Sequence, residues 1–317
     1  MTAAAAKPLR GQRRKRAAAP GSVIEQQRRK YLVPFVGPAF VFYTLLFILP
    51  ALGAVWVSLN QWAGSGPMTF VGLKNYVRVF GDHQVRAAFT NTLLLLFVAG
   101  AIIFILAFAL TMVLRTMWGR KSVRSIIFFP HLVNALVFGV LAGFLFNPDG
   151  LVNTFLGWFG VHNPPMWLAK ENIFPLILAT VIFTTTGYYT TIIMAGVDRI
   201  PPYLYEDCAL AGATPFQRLW HVVIPLTWDV FGTCAILWTL SSIKIFEIIW
   251  VFGGSTGAGI PPVESWTSAV YTYVTAFSGQ STPDFGKATA SAVISLLLVS
   301  VLVVFLRRVF RREAIEF

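Results

Sequence analysis

The chain has 317 residues; 56% are hydrophobic and only 12% are charged. Soluble domains carry about 25% charged residues, and a mean hydropathy of +0.69 exceeds what a soluble core can hide, so a soluble globular domain is excluded. The net charge of +12 resides in one tail and at the ends of apolar runs, and no nucleic-acid-binding motif accompanies it, which excludes a nucleic-acid partner.

In chain order, residues 1–30 are polar and basic, with Lys7, Arg10, Arg13, Arg14, Lys15, Arg16, Arg28, Arg29 and Lys30. A secretory signal needs an apolar stretch soon after its charges. Here that stretch starts only near Pro34 and is too long, and the Arg13-Arg14 pair is too distant from it for twin-arginine export. The expectation is a disordered basic cytoplasmic tail, solvated or, as the alternative, touching anionic lipid.

Six apolar segments then have the roughly 20-residue length of a membrane span: Pro34–Leu59, Ala87–Leu114, Ser125–Pro148, Asn172–Val197, Val230–Phe252 and Ala288–Leu306. The fifth is interrupted by Lys244 and Glu247. Gly150–Ala169 also lacks charge, but Asn153, His162, Asn163 and Pro164-Pro165 favour an external loop with short helical pieces, a re-entrant segment being the alternative. Cys208 is expected in a cytoplasmic loop and Cys234 inside a membrane helix, with neither a disulfide framework nor zinc-ligand spacing.

Six spans put both termini on one side. That side carries nineteen Lys and Arg residues against five on the other, Lys244 being within a span. By the positive-inside rule both termini are expected to be cytoplasmic.

The loop between the fourth and fifth spans, 198–225, is cytoplasmic in this reading. Pro201-Pro202 suits the first turn of a helix, and Gly212 supplies a left-handed residue to end it. Thr214 can cap a second helix with Pro215 at its first position and Gln217 completing a capping box. Pro225 ends that piece. Two short helices around a tight turn can simply join spans on the membrane face, or dock a partner.

Within the spans, Lys244 and Glu247 are spaced i,i+3, so they face the same way and can pair. Ionisable groups in a span are expensive; a structural salt bridge and a place on a translocation path both account for them. The fourth span carries Thr184, Thr185, Thr186, Tyr188, Tyr189, Thr190 and Thr191, a mixture of hydroxyls and rings that suits a sugar and equally suits interhelical packing. Asn134 in the third span is a similar candidate.

Enzyme chemistry has little support. Gly253-Gly254-Ser255-Thr256-Gly257 matches a nucleophile elbow and Ser241-Ser242-Ile243-Lys244 matches Ser-x-x-Lys, but both patterns lack their companion motifs, so a membrane-embedded serine hydrolase stays a remote alternative. His83, His131, His162 and His221 show no metal spacing. Gly254 and Gly259 have the gap of a phosphate-binding loop, yet Ile260-Pro261 follows where Lys-Ser/Thr is required. ATP hydrolysis by that route is therefore not expected of this chain.

The 198–225 loop resembles the EAA motif of ABC importer permeases. Glu206 matches its Glu, Gly212 its Gly, and Val222, Ile224 and Pro225 its hydrophobic-x-hydrophobic-Pro end; Asp207 and Cys208 stand in place of two alanines, and Ala211 in place of an acid. Phe70–Tyr76 with Asn91-Thr92, Ala195–Glu206, and Lys244–Glu247 leading to Gly253-Gly254 resemble the sugar-permease branch that includes maltose and glycerol-phosphate permeases. The resemblance covers nearly all of residues 30–312. It implies an all-α fold of type I ABC importer permease architecture, with a six-helix transmembrane domain over 31–312 and a cytoplasmic end at 313–317, in a bacterial cell membrane. It implies a transport subunit that is not itself an enzyme and binds no cofactor, with ATP and Mg on partner ATPase subunits. The implied partners are a second homologous permease, an ATP-binding cassette ATPase dimer, an extracytoplasmic solute-binding protein and membrane lipid. The implied substrate is a mono- or oligosaccharide, or a sugar-like solute such as glycerol phosphate. In the family the loop's first helix docks on the ATPase, so Glu206, Asp207, Ala209, Gly212, Ala213 and Pro225 are the expected coupling residues. Asn134, Thr185, Tyr188, Tyr189, Lys244 and Glu247 are the substrate-pathway candidates. The rival class is a six-span ion-coupled carrier or channel, which needs no such loop and is expected to hold more intramembrane acids.

Overall fold

The computed structural model of the protein describes residues 34–254, 259–277 and 282–311. The basic segment 1–30 and the end 313–317 lie outside the described residues, as does Ser255-Thr256-Gly257 of the nucleophile-elbow pattern. The chain divides into two units, Met1–Gly53 and Ala54–Phe317. Helix α1 (Pro34–Ser58) occupies the described part of the first and runs on into the second.

Within the second unit a short hairpin pairs β1 (Asn60–Gln61) antiparallel to β2 (Thr69–Phe70). There follow α2 (Lys74–Gly81), α3 (His83–Arg115), α4 (Arg120–Leu132), α5 (Ala135–Leu145), α6 (Leu151–Trp158), α7 (Ile173–Val197) and α8 (Pro202–Leu210). The remainder comprises α9 (Pro215–Leu226), α10 (Trp228–Ser242), α11 (Glu247–Gly254), α12 (Ser268–Phe277) and α13 (Phe285–Val309). Four helices, α1, α3, α7 and α13, are long and apolar enough to cross a bilayer alone; counting the bent pairs α4–α5 and α9–α10 as one span each gives six. Large apolar side chains face outward along these helices, as lipid requires.

Two of the six expected spans are not continuous. The third bends by 90° between α4 and α5. Pro130 lies in α4 and removes one helical donor. The Asn134 side chain then accepts the Leu136 N–H at 2.8 Å and caps a new helix. The fifth ends early: α10 stops at Ser242, and Glu247 opens α11 after a non-helical stretch. Gly150–Ala169, by contrast, contains only the one-sided short helix α6 and turns, the loop form expected of it.

Two prolines are accommodated in the same way. A proline ring collides with the carbonyl four residues back. For Pro50 and Pro225 those residues are Leu46 and His221, and each lies within a π turn, Thr44–Ile48 and Leu219–Val223. A third π turn, Leu94–Ala99 in α3, presents the Leu96 carbonyl to the indole N–H of Trp238 at 2.8 Å. Gly100 lies under that indole, where a Cβ would collide with the ring.

The core runs between α3, α7, α10 and α11, with Leu95, Ile103, Ile177, Ile193, Ile249 and Phe252 fully enclosed. Helix α4 crosses α7 at Gly187 so closely that a Cβ there would strike the backbone carbonyl of Ile127. At one end Asn75 donates to the carbonyls of Ser58 (3.0 Å) and Asn60 (2.8 Å). Asn91 donates to those of Glu264 (2.7 Å) and Trp266 (2.9 Å). These amides satisfy buried non-helical backbone that a membrane protein cannot leave unpaired.

Candidate functional site

Two regions hold the candidate residues. The first is the elbow formed by α8 and α9. Gly212 has φ +70°, the left-handed conformation that glycine adopts without penalty. Ala213 N–H bonds to Cys208 O (2.9 Å) and Gly212 N–H to Ala209 O (3.1 Å), the paired bonds of a Schellman ending. Thr214 and Gln217 form the full capping box ahead of α9, with Pro215 at its first position. One continuous set of local bonds therefore stiffens the turn.

The elbow has an inward and an outward face. Leu204, Tyr205 and Cys208 are half-buried, while Glu206, Asp207, Ala209 and Gly212 are exposed. The Arg115 guanidinium, at the end of α3, sits 3.7 Å from the centre of the Tyr205 ring, and Arg120 reaches Asp198 at 3.6 Å. The first contact ties the elbow to the bundle, and the second joins α4 to the end of α7. Outward, Leu210 is 88% exposed and Phe216 68%, apolar surface of the kind that marks contact with a protein or a membrane.

The second region is a cavity of about 670 Å³ bounded by the α4–α5 break, α7, and the α10–α11 break. Irregular backbone at membrane depth is tolerated where it lines a cavity; here both interruptions face the same one. Asn134, Thr185, Tyr188, Tyr189, Lys244 and Glu247 all line it, so the structure gathers six residues spread over 114 positions. Their surroundings differ. Tyr188 is half-buried and stacks on the His131 ring, centroids 4.4 Å apart and planes 25° apart. Tyr189 is only 1% exposed and packs edge-on against Phe104 (5.2 Å) and Trp238 (6.2 Å), a core role rather than an open contact.

The threonines of α7 divide similarly. Thr184, Thr186 and Thr190 return their hydroxyls to carbonyls of their own helix at 2.7–3.0 Å. No such bond engages Thr185 among the described residues, and the residue borders the cavity.

Lys244 and Glu247 do not form the expected i,i+3 pair. The helix carrying Lys244 has ended before it, at Ser242, so the spacing no longer brings the two side chains together. No ion pair joins them among the described residues; both side chains are exposed on the cavity wall. The stretch between them is fixed instead by Thr267, which donates to the Ile245 carbonyl at 3.0 Å.

His131 is the cavity residue that sequence reasoning passed over. Lacking metal spacing it drew no attention, although an ionisable ring inside a span is itself a signal. The charged cluster at the opposite end from the elbow was also missed. There Lys287 reaches Asp82 at 2.5 Å, Tyr271 donates to the same carboxylate at 3.1 Å, and Arg78 reaches Asp284 at 2.6 Å. Its members are far apart in sequence, and no local pattern announces them. Burial pushes the Asp82 carboxyl up, but the bonds from Lys287, Gln84 N–H and Tyr271 and the Lys287 charge outweigh it and hold its pKa below the ordinary value. Among the described residues no three His, Cys, Asp or Glu side chains group as a metal site.

Comparison with known proteins identifies the family and the fold. The trehalose/maltose transport system permease protein MalF of Thermococcus litoralis is 29% identical over 284 residues, covering 87% of this chain and 92% of that protein. The sn-glycerol-3-phosphate transport system permease protein UgpA of Yersinia enterocolitica is 29% identical over 280 residues, covering 87% and 92%. The fold is similar to a crystal structure of a bacterial ABC transporter involved in the import of the acidic polysaccharide alginate. The TM-score is 0.77 at 21% identity, over 92% of this chain and 99% of that one. The family described as the binding-protein-dependent transport system inner membrane component matches residues 107–315. The chain belongs to that family of inner-membrane transport components.

Proposed function

We propose that this chain is the membrane permease subunit of an ATP-driven importer for a mono- or oligosaccharide, and that the cavity between the two broken spans is its share of the translocation path. The convergence of both helix breaks on one cavity carries the reading. Transporters place substrate where interrupted helices leave polar backbone ends near mid-membrane, and a volume of about 670 Å³ is within the range of small-molecule sites. The His131–Tyr188 stack offers a flat face for the C–H surface of a sugar ring. Thr185, Asn134, Lys244 and Glu247 offer hydrogen bonds around its rim. The relatives named for trehalose/maltose and for sn-glycerol-3-phosphate support a sugar or a sugar-like solute.

The elbow is the coupling element: its outward face, with Glu206, Asp207, Ala209, Gly212 and Ala213, docks on an ATPase subunit that holds ATP and Mg, and Pro225 closes the second helix. Motion of the ATPase dimer passes through Tyr205 and Arg115 into α3, rocking the bundle. A second homologous permease completes the channel and an extracytoplasmic solute-binding protein delivers the sugar. Both termini are cytoplasmic, with residues 1–30 as a basic tail.

The test is purification of the chain from a mild detergent, identification of its companions, and reconstitution of the recovered complex in vesicles. ATP-dependent uptake of a labelled sugar only in the presence of the binding protein is expected. A chain that purifies alone and moves solute along an ion gradient without ATP overturns the reading.

A further inference from the structure

We infer that the groove between the start of α10 and the end of α13 is a binding site for an anionic phospholipid. The groove has a volume of about 530 Å³. Helix α10 contributes Asp229, Gly232, Thr233 and Ile236, and α13 contributes Val304, Arg307 and Arg308, with Arg311 just past its end. On α10 these positions follow the i, i+3, i+4, i+7 spacing of a single face and on α13 Val304, Arg307 and Arg308 follow i, i+3, i+4, so two helical faces look at each other across the groove, with Arg311 beyond the end of α13.

The helices run in opposite directions, which grades the groove along its length. One end has Arg307, Arg308 and Arg311 around the first turn of α10. Further along come Thr233, Ile236 and Val304, on the part of the two helices that enters the bilayer. A phospholipid has the same grading, phosphate at one end and acyl chain at the other. Gly232 lets Phe310 pack against the backbone of α10, since a Cβ there would meet the Phe310 side chain. Phe310 also packs on Trp228, centroids 4.7 Å apart, closing the lower end.

Arginines at a helix C-terminus are ordinarily explained by the helix dipole and by membrane orientation. Neither accounts for a groove. Three guanidinium groups border it with no ion pair among the described residues, and the Asp229 carboxylate on the facing stripe makes none with them. Charge complementarity therefore selects an anion, and the apolar continuation selects one attached to acyl chains. Basic pockets between membrane helices at the headgroup level have this chemistry.

The experiment uses the intact transporter complex in nanodiscs of phosphatidylcholine, doped with brominated phosphatidylglycerol or with brominated phosphatidylcholine. Quenching of Trp228 fluorescence, isolated by subtraction of a Trp228→Phe complex, reports occupancy of the groove. Stronger quenching by the phosphatidylglycerol is expected, with the preference falling about fivefold for each of Arg307→Gln, Arg308→Gln and Arg311→Gln. Asp229→Asn, which removes the acid that lines the groove among the described residues, is expected to raise the preference, and supplies a gain that no misfolded variant can imitate. Inorganic phosphate at millimolar concentration is expected to leave the quenching unchanged. Equal quenching by the two lipids, an Asp229→Asn variant that loses the preference, or displacement by inorganic phosphate would each overturn the assignment, the last in favour of a soluble anion.

Discussion

At Gly187 the absence of a side chain is what lets α4 lie on α7, since any Cβ meets the Ile127 carbonyl. Gly187→Ala is expected to cost about 1–3 kcal/mol of stability through overpacking, read as a lowered unfolding temperature of the detergent-purified protein. Nearby, Tyr188 contributes a ring rather than a hydroxyl to the cavity. Tyr188→Phe should therefore transport nearly as wild type, while Tyr188→Ala raises the uptake KM about fivefold, the equivalent of about 1 kcal/mol of ring contact. Lys244 and Glu247 are both on the cavity wall without a mutual bond. Losses in uptake for Lys244→Ala and Glu247→Ala are expected to add in the double variant; recovery in the double variant would restore the salt bridge that the spacing alone suggested.

At the scale of elements, the elbow follows from its local sequence almost completely. Pro202, Gly212, Thr214, Pro215 and Gln217 each act on backbone within a few residues, and each makes the bond or angle its chemistry predicts. Gly212→Pro cannot hold φ at +70°, because proline fixes φ near −65°. It is expected to abolish sugar-stimulated ATP hydrolysis while leaving insertion and yield of the protein unchanged; normal stimulation would remove the coupling assignment. The breaks in the third and fifth spans were less legible. Pro130 and Asn134 signal the first in retrospect, but a hydropathy window averages over a two-residue bend. The second has no strong breaker at all: residues 243–246 leave the helix, and the Ile245 carbonyl accepts from the Thr267 hydroxyl, which belongs to a distant part of the chain.

For the whole molecule, the charged seam at the end away from the elbow joins α3, α12 and α13 through Asp82, Tyr271 and Lys287. Asp82 has a lowered pKa in the fold, so its stabilising effect is fully present above the unfolded value near 4 and is lost as pH falls through the still lower folded value. Acid titration of the purified protein below about pH 4 is expected to lower its unfolding temperature progressively. Asp82→Asn should be less stable at neutral pH and flatter across that range; identical curves would show that the seam carries no stability. Such a clasp joins three helices at the end of the bundle away from the elbow.

The sequence by itself determined the solvent, the number of apolar segments and the form of the α8–α9 elbow, because hydropathy, proline, glycine and capping chemistry act over a few consecutive residues. Only the tertiary structure decided which spans break, that both breaks open onto one cavity, that Tyr189 is core while Tyr188 and His131 face the cavity, and that Lys244 and Glu247 stand apart. Those outcomes depend on how packed helices satisfy each other's backbone groups in lipid, where no water does it for them, and that is a property of neighbours distant in the chain.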